Sequence, residues 1–250
     1  MENNGSRLLD KRIIEINNNS KIIFRTPTQG VELKLVDEFV DFKKNQFEKN
    51  NKNSGKGMAI LQEPKIEASY PDIIFAEYDI NAFEKWNDNR KKLNKQDLKI
   101  LYHLYMKNGL ESAQIIKQLG IDSSILLKSI ENLLDANMIQ RKSGIWQILD
   151  RENFFAIDKI ETVEAKVNQW NSALIQAVNN KRFSSECYVL SNTKQEPSET
   201  VKNKFSEFGI GMYQQKNSIF KTVKKAKKSN IPNSYTSLVL EEIIGNTICC

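Results

Sequence analysis

The chain has little of several residue types on which common sites depend. Its 250 residues include three cysteines, one histidine and five prolines. Three scattered cysteines exclude a disulfide framework and indicate a reducing compartment. A single histidine, His103, argues against a structural zinc site and against a Ser-His-Asp hydrolase. No apolar run approaches the ~20 residues of a membrane span, and the N-terminus has no hydrophobic signal stretch. These absences predict a cytoplasmic protein that does not bind membranes.

Charge, in contrast, is plentiful. The chain has 37 Lys and Arg residues against 31 Asp and Glu residues, which gives a formal net charge of +6. Part of the excess lies in residues 221–228, which include five lysines. Such a run suits contacts with nucleic-acid phosphates, for which Lys224 and Lys225 are the candidates, or it forms a solvated linker. Both interpretations stay open.

Two short acidic motifs each lie at the polar end of an apolar run that predicts a β-strand. Pro71-Asp72 precedes residues 73–76, and Glu164-Ala165-Lys166 follows the apolar stretch that begins at Phe154. Because side chains alternate along a strand, Glu164 and Lys166 are expected on one face and Ala165 on the other. Two carboxylates and a lysine at the edge of a sheet suit a hard divalent cation and a hydrolytic water.

This combination of Pro71-Asp72 with Glu164-Ala165-Lys166 resembles the PD-(D/E)xK nuclease superfamily. The order of predicted elements around the motifs is also similar to that family's core. The resemblance implies an α/β (α+β) fold with a restriction-endonuclease-like αβββαβ core. Within it, a helix is expected from residue 31 to residue 42, a polar loop over 45–56, and a short C-terminal helix over 235–244.

The resemblance also implies roles for individual residues. Asp72, Glu164 and the backbone carbonyl of Ala165 would bind Mg²⁺ or Mn²⁺, and Lys166 would act on the attacking water. Gln176, on the helix after the second motif, would position the phosphate or the lysine. A further metal-binding glutamate is expected, and the candidates are Glu38 or Glu32 on the first helix and Glu63 beside the first motif.

The segment between the motifs has a pattern of its own. Residues 92–150 predict three helices and a hairpin around Lys142-Ser143-Gly144, which is the order of a winged helix-turn-helix. It would be inserted into a discontinuous nuclease-like domain formed by residues 1–91 and 151–250. Its candidate nucleic-acid contacts are Ser123, Ser124, Lys128 and Asn132 on the third helix and Arg141 and Lys142 on the wing. A protein contact is the other interpretation, because acidic neighbours offset Lys128.

The expected function is a Mg²⁺-dependent DNA endonuclease in bacterial or phage defence, restriction or repair. Duplex DNA is the favoured substrate, RNA stays open, and a homodimer or a partner protein of the same pathway is a further expectation. The alternative is a non-catalytic DNA-binding or scaffolding protein that uses the winged helix on a nuclease-like fold. A transcription regulator with a ligand-sensing domain is the third hypothesis. The first requires the Asp72 and Glu164 carboxylates to lie within about 6 Å of each other.

Overall fold

The computed structural model of the chain describes residues 12–17, 22–26, 29–52, 54–167 and 170–249. These residues form two compact units, and both are discontinuous in sequence. The first comprises the described residues of 1–78 and 157–233, and the second those of 79–156 and 234–250. The architecture is mixed α/β, as predicted. Within the described residues, no helix is both long and apolar enough to cross a membrane.

The elements follow one another through both units. The strands are β1 Ile13–Glu15, β2 Lys56–Gln62, β3 Ile73–Asp79, β4 Ile139–Lys142, β5 Ile145–Ile148, β6 Ile157–Lys166, β7 Glu186–Ser191, β8 Gly211–Lys216 and β9 Ile219–Lys224. The helices are α1 Val31–Asn50, α2 Ile80–Glu84, α3 Lys95–Lys107, α4 Ser112–Leu119, α5 Ser123–Asp135, α6 Arg151–Phe154, α7 Trp170–Asn180, α8 Glu199–Phe208 and α9 Tyr235–Ile248. A 3₁₀ helix covers Asp88–Lys92.

The first unit is built on a seven-stranded sheet in the order β1-β2-β3-β6-β7-β8-β9. Strands β6, β7 and β8 are parallel, whereas β3 is antiparallel to β6 and β9 is antiparallel to β8. Side chains of the central strands contribute to two hydrophobic clusters, and those of β7 alternate between them. One contains Val163 and Ala165 together with apolar residues of α1, and the other contains Val189 together with apolar residues of α7. Helices α1 and α7 therefore cover opposite faces of the sheet.

Two sequence-based expectations were wrong, and one helix was missed. Helix α1 continues to Asn50 instead of giving way to a loop at 45, because Phe47 is buried against the sheet and extends the apolar stripe. Helix α8 was not predicted at all, although Ser198 caps it by accepting a hydrogen bond from the Val201 N–H. The apolar run from Phe154 does not begin a strand, because residues 151–154 form the helical turn α6 and β6 begins at Ile157.

The second unit contains α3, α4, α5 and the β4–β5 hairpin, in the order expected for residues 92–150. Its boundaries differ from the predicted ones, since it begins at residue 79 and includes α9. Helix α9 packs on α3, and Arg90 binds Glu242 with Nη2 and Oε1 2.6 Å apart. Both Glu241 carboxylate oxygens accept from the Ala156 N–H at 2.8 Å. Assignment of the C-terminal helix to the first unit was therefore a wrong prediction.

Candidate active site

A cavity of about 100 Å³ lies in the first unit, at the end of the sheet where the central strand β6 finishes. Strand β2 finishes at the same end, just before Glu63, and β3 begins there just after Asp72. The cavity is lined by Arg25, Glu32, Leu33, Val36, Gln62, Glu63, Asp72, Lys166 and Gln176. Three strand ends and the first turns of α1 thus bring together residues that are far apart in the sequence.

The two acidic motifs meet at this cavity. Ile73 on β3 is the cross-strand partner of Val163 on β6, so the register continued by one residue places Asp72 opposite Glu164. The Ala165 N–H also donates to Asp72 Oδ2 at 2.7 Å. The structure therefore brings Asp72, Glu164 and Lys166 to one strand end, and the Ala165 side chain points into the core on the α1 side.

Both carboxylates are withdrawn from water. Asp72 is 4% exposed and Glu164 is 1% exposed. Burial raises the pKa of Asp72 to about 6, against the opposing effects of the Ala165 N–H and the Lys166 charge. Burial and then the charge of Asp72 raise the pKa of Glu164 well above its ordinary range. A nearby positive charge would therefore stabilise the ionised forms of both carboxylates.

Two cationic side chains already lie at the cavity. Lys166 Nζ forms an ion pair with Glu32 Oε1. Burial lowers the pKa of Lys166, but the hydrogen bond to Glu32 and the charges of Asp72 and Glu164 outweigh that effect, so the pKa is raised. Arg25 Nε donates to Glu63 Oε2 at 2.8 Å, and its Nη2 lies 3.3 Å from Asp72 Oδ1. The lysine is thus protonated and held in place by an acidic residue of α1.

The structure brings some of the additional predicted site residues to the cavity and not others. Glu63 and Gln176 line the cavity, as does Glu32, which was the alternative to Glu38. Glu38 does not line it, because its carboxylate accepts a hydrogen bond from Gln215 on β8 instead. A helix rises ~1.5 Å per residue, so Glu38 lies about 9 Å beyond Glu32 along α1, whose cavity-lining residues end at Val36.

Two residues of the site were missed by the sequence reasoning. Asn180, the last residue of α7, is 1% exposed and its Nδ2 donates to Glu164 Oε1 at 2.7 Å. Arg25 comes from a short segment whose backbone runs along Glu63, since the Arg25 N–H donates to the Glu63 carbonyl at 2.9 Å. Neither residue belongs to a local pattern, so no sequence signal pointed to them.

The oxygen atoms at the end of β6 are of the type that hard divalent cations bind. The buried atom Glu164 Oε2 has no hydrogen-bond partner among the described residues. In that part of the chain, no group of three or more His, Cys, Asp and Glu side chains is arranged to hold a metal ion. Glu63 and Glu32 are instead paired with Arg25 and Lys166. The strand end offers the carboxylates of Asp72 and Glu164 and the backbone carbonyl of Ala165, which lies between Glu164 and Lys166.

The second unit carries most of the predicted nucleic-acid contacts on its surface. Ser123, Ser124 and Lys128 of α5 are exposed, as are Arg141 and Lys142 of the hairpin. Asn132 is half-buried, and its Nδ2 donates to Asp97 Oδ2 at 3.1 Å, toward the start of α3. The Arg141 guanidinium lies 5.1 Å from the centroid of the Trp146 ring.

The lysine run of the first unit is partly structured. Lys221 and Lys224 belong to β9, and Lys225 is exposed just after it. Lys221 forms an ion pair with Glu196, and Lys228 lies 3.6 Å from Glu186. The linker interpretation therefore does not describe residues 221–224, whereas Lys224 and Lys225 stay candidates for phosphate contacts.

Comparison with protein-family models, with curated proteins and with solved structures found no match for this chain. Its function has therefore to be inferred from the cavity and from the surfaces described above.

Proposed function

We propose that this protein is a Mg²⁺-dependent DNA endonuclease that hydrolyses phosphodiester bonds. The observation that carries the proposal is the buried pair Asp72 and Glu164 at one strand end with Lys166. A structural ion pair would not place two buried carboxylates opposite each other with raised pKa values and leave Glu164 Oε2 without a partner. A site for a cation and a phosphate accounts for all three features.

The order of elements around the cavity supports the same proposal. The first unit contains α1, β2, β3, β6, α7 and β7 in that order. This is the αβββαβ order of the PD-(D/E)xK nucleases that the two motifs resemble. Asp72 at the start of β3 and Glu164 and Lys166 at the end of β6 occupy the positions that the resemblance implies.

In the proposed reaction, Asp72, Glu164 and the Ala165 carbonyl would hold Mg²⁺ or Mn²⁺. Such an ion polarises the scissile phosphate and lowers the pKa of a water molecule. Lys166 would orient or activate the attacking water and offset charge in the transition state. Glu32 holds the lysine ammonium, and Gln176 presents an amide that can donate to a phosphate oxygen.

The second unit would contribute DNA binding. The exposed Ser123, Ser124 and Lys128 on α5 and Arg141 and Lys142 on the hairpin suit contacts with the DNA backbone. A depression of about 500 Å³ beside α5, lined by Ile116, Leu127 and Trp146 among others, favours a second candidate role, in which this unit binds a protein. Leu127 is 63% exposed, which is more than phosphate contacts alone would require.

Substitution of Lys166 tests the proposal. Lys166→Ala is expected to lower the rate of Mg²⁺-dependent cleavage about 100-fold or more, because it removes a group that acts on the attacking water. Affinity for DNA in Ca²⁺ should stay nearly constant, since one phosphate contact among several changes the salt dependence by about one unit. Cleavage of plasmid and of single-stranded DNA measures the rate, and gel shift measures the affinity.

Lys34→Ala is the matched control, because Lys34 is an exposed lysine of α1 that pairs with Glu38 and does not line the cavity. It should leave the cleavage rate unchanged. Full activity of the Lys166→Ala protein would show that Glu164-Ala165-Lys166 is a chance triplet. DNA binding without cleavage by the unaltered protein would favour the non-catalytic DNA-binding or scaffolding alternative.

A further inference from the structure

We infer that the part of the substrate that enters the cavity is an unpaired DNA strand, and that Tyr70 is the surface on which one of its bases stacks. This inference rests on the proposed function, because it names the form of the substrate for the same cavity. Three side chains carry it, those of Arg25, Lys65 and Tyr70. All three belong to the first unit, and Tyr70 directly precedes Pro71-Asp72.

The backbone around Tyr70 is fixed by a tight turn. The Ile66 N–H donates to the Ser69 carbonyl at 2.9 Å, and the Ser69 N–H donates back to Ile66 at the same distance. This bonded pair encloses a two-residue loop, in which Glu67 has a φ of 55°. Lys65 and Tyr70 are the next pair outward, so their side chains are cross-strand neighbours. Lys65 is held from its other side, because its N–H donates to the Ile23 carbonyl at 2.8 Å.

Both residues of this pair are exposed. Tyr70 is 37% exposed, which leaves part of the residue open to a ligand. Lys65 Nζ lies 5.6 Å from the ring centroid and Arg25 Cζ lies 5.9 Å from it. Arg25 also lines the cavity and reaches Asp72. A single side chain thus connects the ring with the carboxylate proposed to bind the metal.

An exposed ring with two cations beside the carboxylates proposed to bind the metal suits a single strand. Bases of an unpaired strand stack on aromatic side chains while cationic groups contact the phosphates, and this recognition does not depend on base sequence. In an intact duplex each base is already stacked between its neighbours and offers no free face. A bound nucleotide would place its phosphates beside the Lys65 ammonium and the Arg25 guanidinium and its base against the exposed part of the Tyr70 ring.

The test is the ratio of affinities for two probes, measured in EDTA so that no DNA is cleaved. The probes are a fluorescein-labelled oligothymidylate of about 16 nucleotides, which matches typical single-strand site sizes, and a blunt hairpin duplex. Tyr70→Ala is expected to weaken oligothymidylate binding about tenfold or more and duplex binding much less. Tyr70→Phe should keep the affinity, because the ring stays, whereas Tyr70→Leu should lose it while preserving an apolar side chain.

Phe208→Ala is the matched control, because Phe208 is 45% exposed and lies where α8 leads into β8, at the end of the sheet opposite the cavity. It should leave both affinities unchanged. Equal affinity of the unaltered protein and the Tyr70→Ala and Tyr70→Leu variants for oligothymidylate, or an equal loss for both probes, would overturn the inference. An unaltered protein that does not bind oligothymidylate would also overturn it.

Cleavage in Mg²⁺ separates this inference from the proposed function. Tyr70-dependent binding without any cleavage would leave the single-strand surface in place and reject the nuclease. Cleavage that is the same in the unaltered and Tyr70→Ala proteins, on flap and on blunt substrates, would retain the nuclease and reject Tyr70 as a stacking surface.

Discussion

At the scale of the residue, Asp72 is a proposed metal ligand whose ionised form lowers the stability of the folded protein. Its pKa is raised to about 6 by burial, from an ordinary value of 3.8. The folded protein therefore binds this proton more tightly than the unfolded chain, so the free energy of unfolding rises as pH falls from about 6 toward 4. At neutral pH the ionised carboxylate is destabilising unless a cation binds it. Stability measurements can thus detect the proposed cation site independently of cleavage.

Asp72→Asn is expected to raise the midpoint of thermal unfolding at neutral pH in metal-free buffer. The amide oxygen can still accept from the Ala165 N–H, and the buried negative charge is gone. The gain should shrink as pH falls below about 6, because Asp72 then becomes protonated in the unaltered protein. Mg²⁺ should raise the midpoint of the unaltered protein and not that of the variant.

Scanning fluorimetry with and without Mg²⁺ over a range of pH measures this effect. Asp41→Asn is the control, because Asp41 is an acidic residue of α1 whose side chain is 73% exposed. It should shift the midpoint little and leave the response to Mg²⁺ intact. A midpoint of the unaltered protein that does not respond to Mg²⁺ would remove the support for a cation at Asp72 and Glu164.

The site residues divide into those that a local pattern predicts and those that only packing determines. Asp72, Glu164 and Lys166 each follow or precede an apolar strand, and that arrangement is visible in the sequence. Asn180 ends a helix and looks like an ordinary solvated terminus, but the packing of α7 on β6 buries it against Glu164. Its burial depends on contacts that no local pattern encodes.

At the scale of the element, α1 is joined to the sheet by a buried charge network. Glu161 on β6 is 1% exposed, and its two oxygens accept from Lys43 of α1 and from Lys159, each at 2.7 Å. The Tyr213 hydroxyl on β8 donates to the same carboxylate at 3.1 Å. Burial alone would raise the pKa of Glu161, but the two lysines outweigh it and lower the pKa to about 2. The network thus fixes one helix against two strands.

Glu161→Gln is expected to lower the free energy of unfolding by about 3–5 kcal/mol, because it leaves the buried Lys43 without its counter-ion and removes one acidic partner of Lys159. The contribution of Glu161 is fully present above its ordinary pKa of 4.5 and is lost as pH falls toward about 2. The difference between the two proteins should therefore persist at pH 7 and narrow only below about pH 4.5. Urea unfolding at several pH values measures it.

Glu77→Gln provides the comparison within the same network. Glu77 contacts Lys159 at 3.6 Å, but its side chain is 34% exposed, so its removal should cost less than about 1 kcal/mol. Equal costs for the two substitutions would show that burial does not determine the contribution of Glu161.

The sequence predicts where most helices and strands occur better than it predicts which of their residues are buried. Strand β6 includes Asp158, Lys159 and Glu161, whose charges suggest in the sequence that they are exposed to solvent. Lys159 and Glu161 are instead covered by neighbouring strands and α1 and pair with each other. The predicted helix over residues 31–42 ended too early for the same reason, since the Asn- and Lys-rich end of α1 looks polar although Phe47 is buried. Charged residues that pair across elements remove the alternation on which sequence patterns depend.

At the scale of the whole molecule, the chain leaves the first unit and returns to it at adjacent points. Tyr78 on β3 is the cross-strand partner of Ile157 on β6, so the two strands meet where residues 79–156 depart and return. The chain ends in the second unit with α9, whose Leu238, Leu240 and Ile244 are at most 1% exposed. A sequence-based boundary cannot find this, because a buried C-terminal helix fits either unit equally well.

The discontinuity predicts how each unit responds to deletion. Replacing residues 79–156 with an Asn-Gly turn should join β3 to β6 as a hairpin, because their ends are already paired. If the chain also ends at residue 233, the first unit is expected to be soluble and folded. If residues 234–250 are kept, α9 loses α3, Arg90 and Ala156 as partners, and its apolar side chains should drive aggregation.

Gel filtration and circular dichroism compare the two deletion variants, and the unaltered protein is the reference. Substitution of Leu238 and Ile244 by Lys in the variant that keeps α9 should restore solubility, because it removes the exposed apolar side chains. Aggregation of the shorter variant as well would show that the first unit does not fold stably without the second. Solubility of the longer variant without these substitutions would show that α9 does not need the second unit to cover its apolar side chains.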